Sequence, residues 1–142
     1  MSIESSSQGR TQMFARVLGP FLVVVPLTAA LRAPQMQTLL ADFEANPLWP
    51  WVVGAYVFLF GLVVVALHTS WNSPAAVMIS ALGWLLVLRG VLLMAFPAAF
   101  MAAANAVIGA GLVWRIGYVG LALAGLYLTA VGWWPSGRRA RD

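Results

Sequence analysis

The chain has 142 residues, of which 62% are hydrophobic and 8% are charged. An average soluble domain is about half apolar and about a quarter charged, so this chain has too few polar side chains to cover a water-exposed surface. Its net charge is +4, and its basic residues are all arginines, scattered or terminal rather than gathered as in a nucleic-acid-binding face. Cysteine is missing, which excludes disulfides, thiolate metal sites and cysteine nucleophiles. Together these properties indicate an integral membrane protein.

The chain begins with a polar, serine-rich segment, and we predict a mobile cytoplasmic tail over residues 1–12. An apolar segment follows at about residues 14–33 and contains Pro20 and Pro26. A secretory signal peptide also has a basic start and an apolar region, but no convincing small-x-small cleavage site follows Val25. We therefore predict that this segment is the first membrane-spanning helix.

Three further apolar segments are long enough to cross the hydrocarbon core, which takes about 20 helical residues. They lie at about residues 48–67, 75–96 and 112–134. Ser73 is suited to cap the third of the four spans and Pro74 to occupy its first turn. The sequence thus predicts an all-α polytopic membrane protein, with a four-helix membrane domain over residues 13–135 and a basic cytoplasmic tail over residues 136–142.

Two shorter segments between the spans also have apolar residues at helical spacing. They occupy residues 35–43 and 98–112, and we predict that both form short helices in the membrane interface, on the outer side. Their apolar faces consist of Met36, Leu39, Leu40 and Phe43 in one helix and of Phe100, Met101, Ala104, Val107 and Ile108 in the other.

The placement of arginines predicts the orientation of the spans, because basic residues near span ends are retained in the cytoplasm. Arg10 and Arg16 precede the first span and three arginines follow the last, so we predict an up-down bundle with both termini cytoplasmic. Trp84 lies midway along its span, and we expect its indole N–H at a helix–helix contact, with a ligand pocket as the alternative. The other tryptophans mark predicted span ends, as an aromatic belt does: Trp49, Trp51, Trp71, Trp114, Trp133 and Trp134.

Glycines on the second and third spans recur at a spacing of seven residues. An antiparallel hairpin of these two spans would set Gly54 level with Gly90 and Gly61 level with Gly83. Close backbone approach at small residues holds helices together in lipid, so we predict that these four glycines form a helix-packing contact. The alternative is that glycine is simply common in membrane helices.

Charged residues near the predicted outer side form a candidate cluster: Arg32, Asp42, Glu44, Arg89 and Arg115. Arg89 lies about seven residues before the end of its span, where an unpaired charge costs roughly 2–3 kcal/mol on insertion scales. One interpretation is an anion or lipid-phosphate site, because three guanidinium groups outnumber two carboxylates. The other is structural: Arg89 pairs locally, while the remaining two arginines extend to lipid headgroups.

His68 is the single histidine and lies at the cytoplasmic end of the second span. A histidine there can titrate near neutral pH, but no predicted span contains an acidic partner for proton transfer. A boundary histidine satisfied by water or by backbone is the favoured interpretation. We predict no catalytic set, no metal site and no cofactor, because neither a paired base and nucleophile nor a ligand cluster is present.

Residues 48–97 carry a pattern of aromatic, glycine and basic residues: His68-x-x-Trp71, then Gly83-Trp84, Arg89-Gly90 and Pro97. This pattern resembles a family of small, uncharacterised four-span bacterial membrane proteins. The resemblance implies a location in the bacterial inner membrane and a count of four spans, and it implies no activity.

The leading functional hypothesis is a non-enzymatic accessory or scaffold subunit that contacts other membrane proteins or a second copy of itself through small-residue faces. The alternative is a small oligomeric transporter or channel for an anion or amphiphile, with Arg89 at its site. A lipid-modifying enzyme is disfavoured because a nucleophile with an acid/base pair is missing. The expected partners are the lipid bilayer and membrane proteins, with no nucleic acid.

Overall fold

The computed structural model describes residues 2–134, with side chains from Gln8 onward, and this part of the chain is all-helical. Four of its helices are long and apolar enough to cross a membrane, which confirms the predicted number of candidate spans. The predicted tail at residues 136–142 lies outside the described residues. The helices are α1 (Ser2–Leu31), α2 (Ala33–Ala45), α3 (Leu48–Leu67), α4 (Pro74–Ala95), α5 (Pro97–Gly109) and α6 (Leu112–Trp133).

The start of α1 differs from the sequence prediction. The sequence predicts a mobile tail over residues 1–12, whereas the helix begins at Ser2 and the apolar candidate span within it at Gln8. Within this segment the side chain of Thr11 is buried against the end of α3. The turn before the apolar segment therefore packs against the rest of the molecule.

At the other helix ends, capping residues, prolines and glycine occupy positions that suit them. Ser73 caps α4 by accepting a hydrogen bond from the backbone N–H of Ala76 at 3.2 Å, and Pro74 occupies the first turn. Pro97 starts α5 directly after the break at Phe96. Gly111 has a φ of +47°, which glycine adopts without steric cost, and this lets the chain turn sharply from α5 into α6.

The four long helices form two antiparallel pairs, α1 with α6 and α3 with α4. In the α1–α6 pair, a methyl group added to Gly125 would lie 2.7 Å from the backbone of Leu22. At Gly132 an added methyl group would lie 2.7 Å from the backbone N of Arg16. The two helices of this pair therefore touch backbone to backbone over several turns.

The α3–α4 pair is equally close. A methyl group added to Gly61 would lie 2.5 Å from the backbone N of Val87, and one added to Gly90 would lie 2.5 Å from the backbone N of Phe58. The two predicted glycine pairs are also in contact. A methyl group added to Gly54 would lie 3.1 Å from the carbonyl oxygen of Gly90, and one added to Gly61 would lie 3.0 Å from that of Gly83.

A small hydrophobic core joins the two pairs at one end of the molecule. It is formed by the N-terminal half of α1, the end of α3, the start of α4 and the end of α6. The end of α6 also lies at this end of the molecule, where Nε of Arg16, in the middle of α1, donates to the carbonyl of Gly132. The buried core residues are Ala15, Leu18, Val64, Ala75, Ile79 and Leu128.

The short helices α2 and α5 lie at the opposite end and contact one another as well as the long helices. Met101 of α5 is buried, and Trp114 at the start of α6 is buried beside Tyr118, with ring centroids 4.7 Å apart. Trp114 thus packs inside the molecule, while the other tryptophans at helix ends are exposed.

Trp84 does not lie where the sequence predicted. Its side chain is 57% exposed, so it faces away from the other helices of this chain rather than into a helix–helix contact. The cause is its neighbour Gly83, which faces α3. Consecutive residues of a helix point about 100° apart, and this turns Trp84 outward.

We expect Gly61→Ala to destabilise the protein, because the added methyl group meets the backbone of Val87 and no side-chain rotation relieves that contact. The expected loss is about 1–3 kcal/mol, as for other overpacked sites. Gly120→Ala is the matched control, since a methyl group there has no neighbouring atom within 4 Å. Thermal unfolding of both variants in detergent, followed by circular dichroism, checks this prediction, and equal melting temperatures would contradict it.

Candidate functional site

The main polar site of the described chain lies where α1 crosses the connection between α3 and α4. Helix α3 ends at Leu67, and His68 adopts an extended conformation while its N–H donates to the carbonyl of Val64 at 2.9 Å. This conformation turns the imidazole inward, and the side chain is 2% exposed. The buried polar residues of the described chain are Thr11, His68 and Ser80, and all three belong to this site.

Each ring nitrogen of His68 has a hydroxyl partner on a different helix. Nε2 lies 3.0 Å from Oγ1 of Thr11 on α1, and Nδ1 lies 3.1 Å from Oγ of Ser80 on α4. The Phe14 ring packs edge-on against the imidazole, with centroids 5.6 Å apart. The histidine therefore links α1 to the α3–α4 pair through two hydrogen bonds and one aromatic contact.

The hydrogen-bond geometry assigns the protons. Ser80 has one hydroxyl proton, which it donates to the carbonyl of Ser70 at 3.1 Å. Its oxygen then accepts from Nδ1–H of His68, which leaves Nε2 unprotonated and able to accept from the Thr11 hydroxyl. A neutral imidazole protonated at Nδ1 fits this set of partners.

The buried position also favours the neutral form. Burial removes water from the ring, so it lowers the pKa of His68 below the ordinary histidine value. A backbone hydrogen bond opposes this effect but is the smaller cause. At neutral pH the imidazole acts as a neutral hydrogen-bonding group between helices.

The site lacks the groups that most histidine chemistry needs. A general base requires a reacting group within hydrogen-bond reach, and a metal site requires several ligands. Within residues 8–134, whose side chains are described, His, Asp and Glu nowhere gather into a group of three that could hold a metal ion. The arrangement is suited to joining helices and to sensing protonation.

Each arginine of the predicted cluster has its own contacts in the structure. Arg32 donates from Nε to the side-chain oxygen of Gln35 at 3.0 Å. The guanidinium of Arg89 lies over the Phe100 ring, 5.6 Å from its centroid, which is cation–π geometry. Arg115 lines a shallow cavity of about 250 Å³ between α2 and the start of α6.

The two acidic members of the predicted cluster are exposed on α2. Glu44 lines a small cavity of about 180 Å³ next to Met101, and Asp42 lies half a turn earlier. No ion pair within the described part of the chain joins either carboxylate to Arg32, Arg89 or Arg115. The shared anion or lipid-phosphate site therefore stays a prediction.

Sequence reasoning missed Thr11 and Ser80 as partners of His68. Thr11 falls in the segment that we expected to be a tail, and Ser80 lies on an apolar helix. The available signal was helical spacing: Ser80 is seven residues after Ser73, on the face of α4 that also carries Ala76 and Gly83. A polar residue on such a small-residue face is turned toward a neighbouring helix.

Known proteins give no further guide to this site. No protein-family model, curated protein or solved structure matches the chain. The resemblance of residues 48–97 to small four-span bacterial membrane proteins therefore stays a prediction.

We expect Thr11→Val to destabilise the protein by about 1–3 kcal/mol, because the variant keeps the side-chain shape but leaves buried Nε2 of His68 without its partner. Thr28→Val is the matched control, since the exposed Thr28 hydroxyl donates only to carbonyls of its own helix. Unfolding in detergent measures both variants. Equal effects of the two substitutions would show that the buried hydrogen bond contributes nothing.

We also expect the stability of the protein to fall on acidification. The pKa of His68 is lowered in the folded state, so its contribution is complete above the ordinary value of about 6.5 and is lost as the pH falls below it. Histidine is the side chain that ordinarily titrates between pH 5 and 8, and the chain has one. Melting temperatures between pH 5 and 8 should decline toward pH 5 in the wild type. In His68→Gln the decline should be much smaller, and an undiminished decline would rule out His68 as its source.

Proposed function

We propose that this protein is a non-enzymatic integral membrane protein that serves as an accessory or scaffold subunit of a membrane complex. In this proposal the four long helices cross the membrane up and down with both termini in the cytoplasm, and α2 and α5 lie in the interface on the outer side. Arg10 and Arg16 in the N-terminal half of α1 and the three arginines after α6 support this orientation through the positive-inside rule. The resemblance of residues 48–97 supports a bacterial inner membrane.

The observation that carries the proposal is the open face of α6. Gly125 and Gly132 of this helix are covered by α1, but Gly117 and Gly120 have open space where a side chain would project. The most apolar part of α6 has 17% of its residues buried, compared with 28% in α4. Exposed glycines flanked by apolar side chains allow another transmembrane helix to approach closely.

Two further features support a role without chemistry. The buried polar residues of the described chain all take part in hydrogen bonds between helices at the His68 site. Trp84 projects outward from the middle of α4, where an aromatic side chain provides a large contact area for a neighbouring protein.

The proposal is tested by purifying the tagged protein in a mild detergent beside the variant Gly120→Leu. The Cβ of the added side chain has no atom of this chain within 4 Å, so the variant should fold normally but lose most of its partner protein, or of its second copy, on purification. Gly109→Leu is the control, since Gly109 also has open surroundings but lies at the end of α5. Equal recovery of partners with both variants would contradict the proposed face.

The alternative function is a small oligomeric transporter or channel for an anion or amphiphile, with Arg89 at its site. The observation in its favour is that the guanidinium of Arg89 contacts an aromatic ring and forms no ion pair with the described acidic residues, so its charge is available to an anion. Purified protein in proteoliposomes would then carry a solute flux that Arg89→Ala abolishes. The scaffold function instead requires that assembly or stability changes and that flux is absent from both proteins.

A further inference from the structure

A groove of about 440 Å³ runs along the outside of the molecule between α1 and α3. One wall extends from Arg10 to Leu18 on α1 and the other from Phe60 to Leu67 on α3. At a rise of 1.5 Å per residue, the groove is roughly 10–12 Å long. Apart from Arg10, all of its lining side chains are apolar.

The floor of the groove is formed by buried side chains and is not merely a gap between helices. Leu18 and Val64 are buried in the core that joins the two helix pairs, and they close the bottom of the groove. Phe14 lines the groove on one side and packs against His68 on the other. The apolar space is therefore held in shape by the same core that joins α1 to the α3–α4 pair.

Arg10 lies at the end of the groove where a lipid headgroup would be. The adjacent residue, Thr11, bonds to His68 immediately after the last residue of α3, so Arg10 is level with the end of that apolar helix. The deeper walls belong to the candidate membrane spans Gln8–Leu31 and Leu48–Leu67. The guanidinium of Arg10 thus lies at the boundary of the hydrocarbon, and the apolar walls of the groove extend from there into the hydrocarbon.

The charge at this end is unbalanced. Arg16 also lies here, beside Gly132, and in the sequence the five arginines of the first 16 and last five residues outnumber the two acidic residues there, Glu4 and Asp142. The described acidic residues, Asp42 and Glu44, lie on α2 at the opposite end of the helix pairs. A basic mouth on an apolar groove is complementary to an anionic amphiphile, and basic residues at the cytoplasmic face attract acidic lipids.

We propose that this groove binds one anionic phospholipid, with an acyl chain between α1 and α3 and the headgroup phosphate at Arg10. The proposal rests on the membrane-spanning arrangement above but not on the accessory function. A lipid bound there would contact α1 and α3 together and so fill the outer side of the junction between the two helix pairs.

Native mass spectrometry of the full-length protein in neutral detergent tests the proposal by titration with phosphatidylglycerol and with phosphatidylcholine of the same acyl chains. The first phosphatidylglycerol should bind about five-fold more tightly, which corresponds to about 1 kcal/mol for one basic residue near a headgroup. Arg10→Gln should remove this preference, so that the two lipids bind about equally tightly. Arg32→Gln removes the same charge at the other end of the molecule and should leave the preference unchanged.

A second pair of variants tests the groove itself. Val63→Trp and Met13→Trp fill it from opposite walls at side chains that are 43% and 68% exposed, so either should fold and should weaken the first binding event for both lipids. Equal binding of the two lipids to the wild type would overturn the proposal. An effect of Arg32→Gln as large as that of Arg10→Gln would also overturn it. The same holds if the first lipid still binds to both tryptophan variants, or if the protein is a dimer that Val63→Trp dissociates. Failure of the accessory function would appear instead in the co-purification experiment.

Discussion

Close backbone approach at glycine is the constraint on which the rest of this structure depends. Apolar helices gain nothing from leaving hydrocarbon for one another, so their association relies on tight packing and on hydrogen bonds between helices. In both helix pairs, a single methyl group at the central glycines would collide with the backbone of the neighbouring helix. Because one pair consists of the first and last helices, Arg16 and Gly132 meet across almost the whole sequence, and the end of α6 lies beside the middle of α1.

The two pairs are joined by a different kind of contact. Between them lie a small apolar core and the hydrogen bonds of His68 to Thr11 and Ser80, all at one end of the molecule. A buried polar group without a partner is costly, so the three hydroxyl and imidazole groups fix how α1 sits against the α3–α4 pair. Helix α1 therefore takes part in both associations: it packs on α6 through Gly19 and Gly125 and bonds to the second pair through Thr11.

The local features of this fold were predictable from the sequence, whereas contacts between distant residues were predictable only where small residues repeat. The second span was predicted at its observed bounds, Leu48–Leu67, because hydropathy and length are properties of the segment itself. Gly125 and Gly132 have the same seven-residue spacing as the glycines of α3 and α4, so the α1–α6 contact left a signal that sequence analysis did not use. The partners of His68 left none of comparable strength, since their meeting depends on how two helix pairs dock. The prediction for Trp84 was wrong for a related reason. The sequence indicates that the indole N–H needs a hydrogen-bond acceptor, but it does not indicate which side of the helix the ring occupies.

The distribution of polar groups limits what one copy of this chain can do. A path for ions or solutes needs polar groups along its length, but in the part of the chain that the structure describes the buried polar side chains all lie at the His68 site. The charged side chains of Arg89 and Arg115 are exposed at the surface of the helix pairs rather than turned between them. A pathway along the described part of the chain would therefore have to follow the outer surfaces of its helices. The same surfaces are what an accessory subunit offers to its partners, so both functional hypotheses place the activity of this protein on the outside of its helices and not within them.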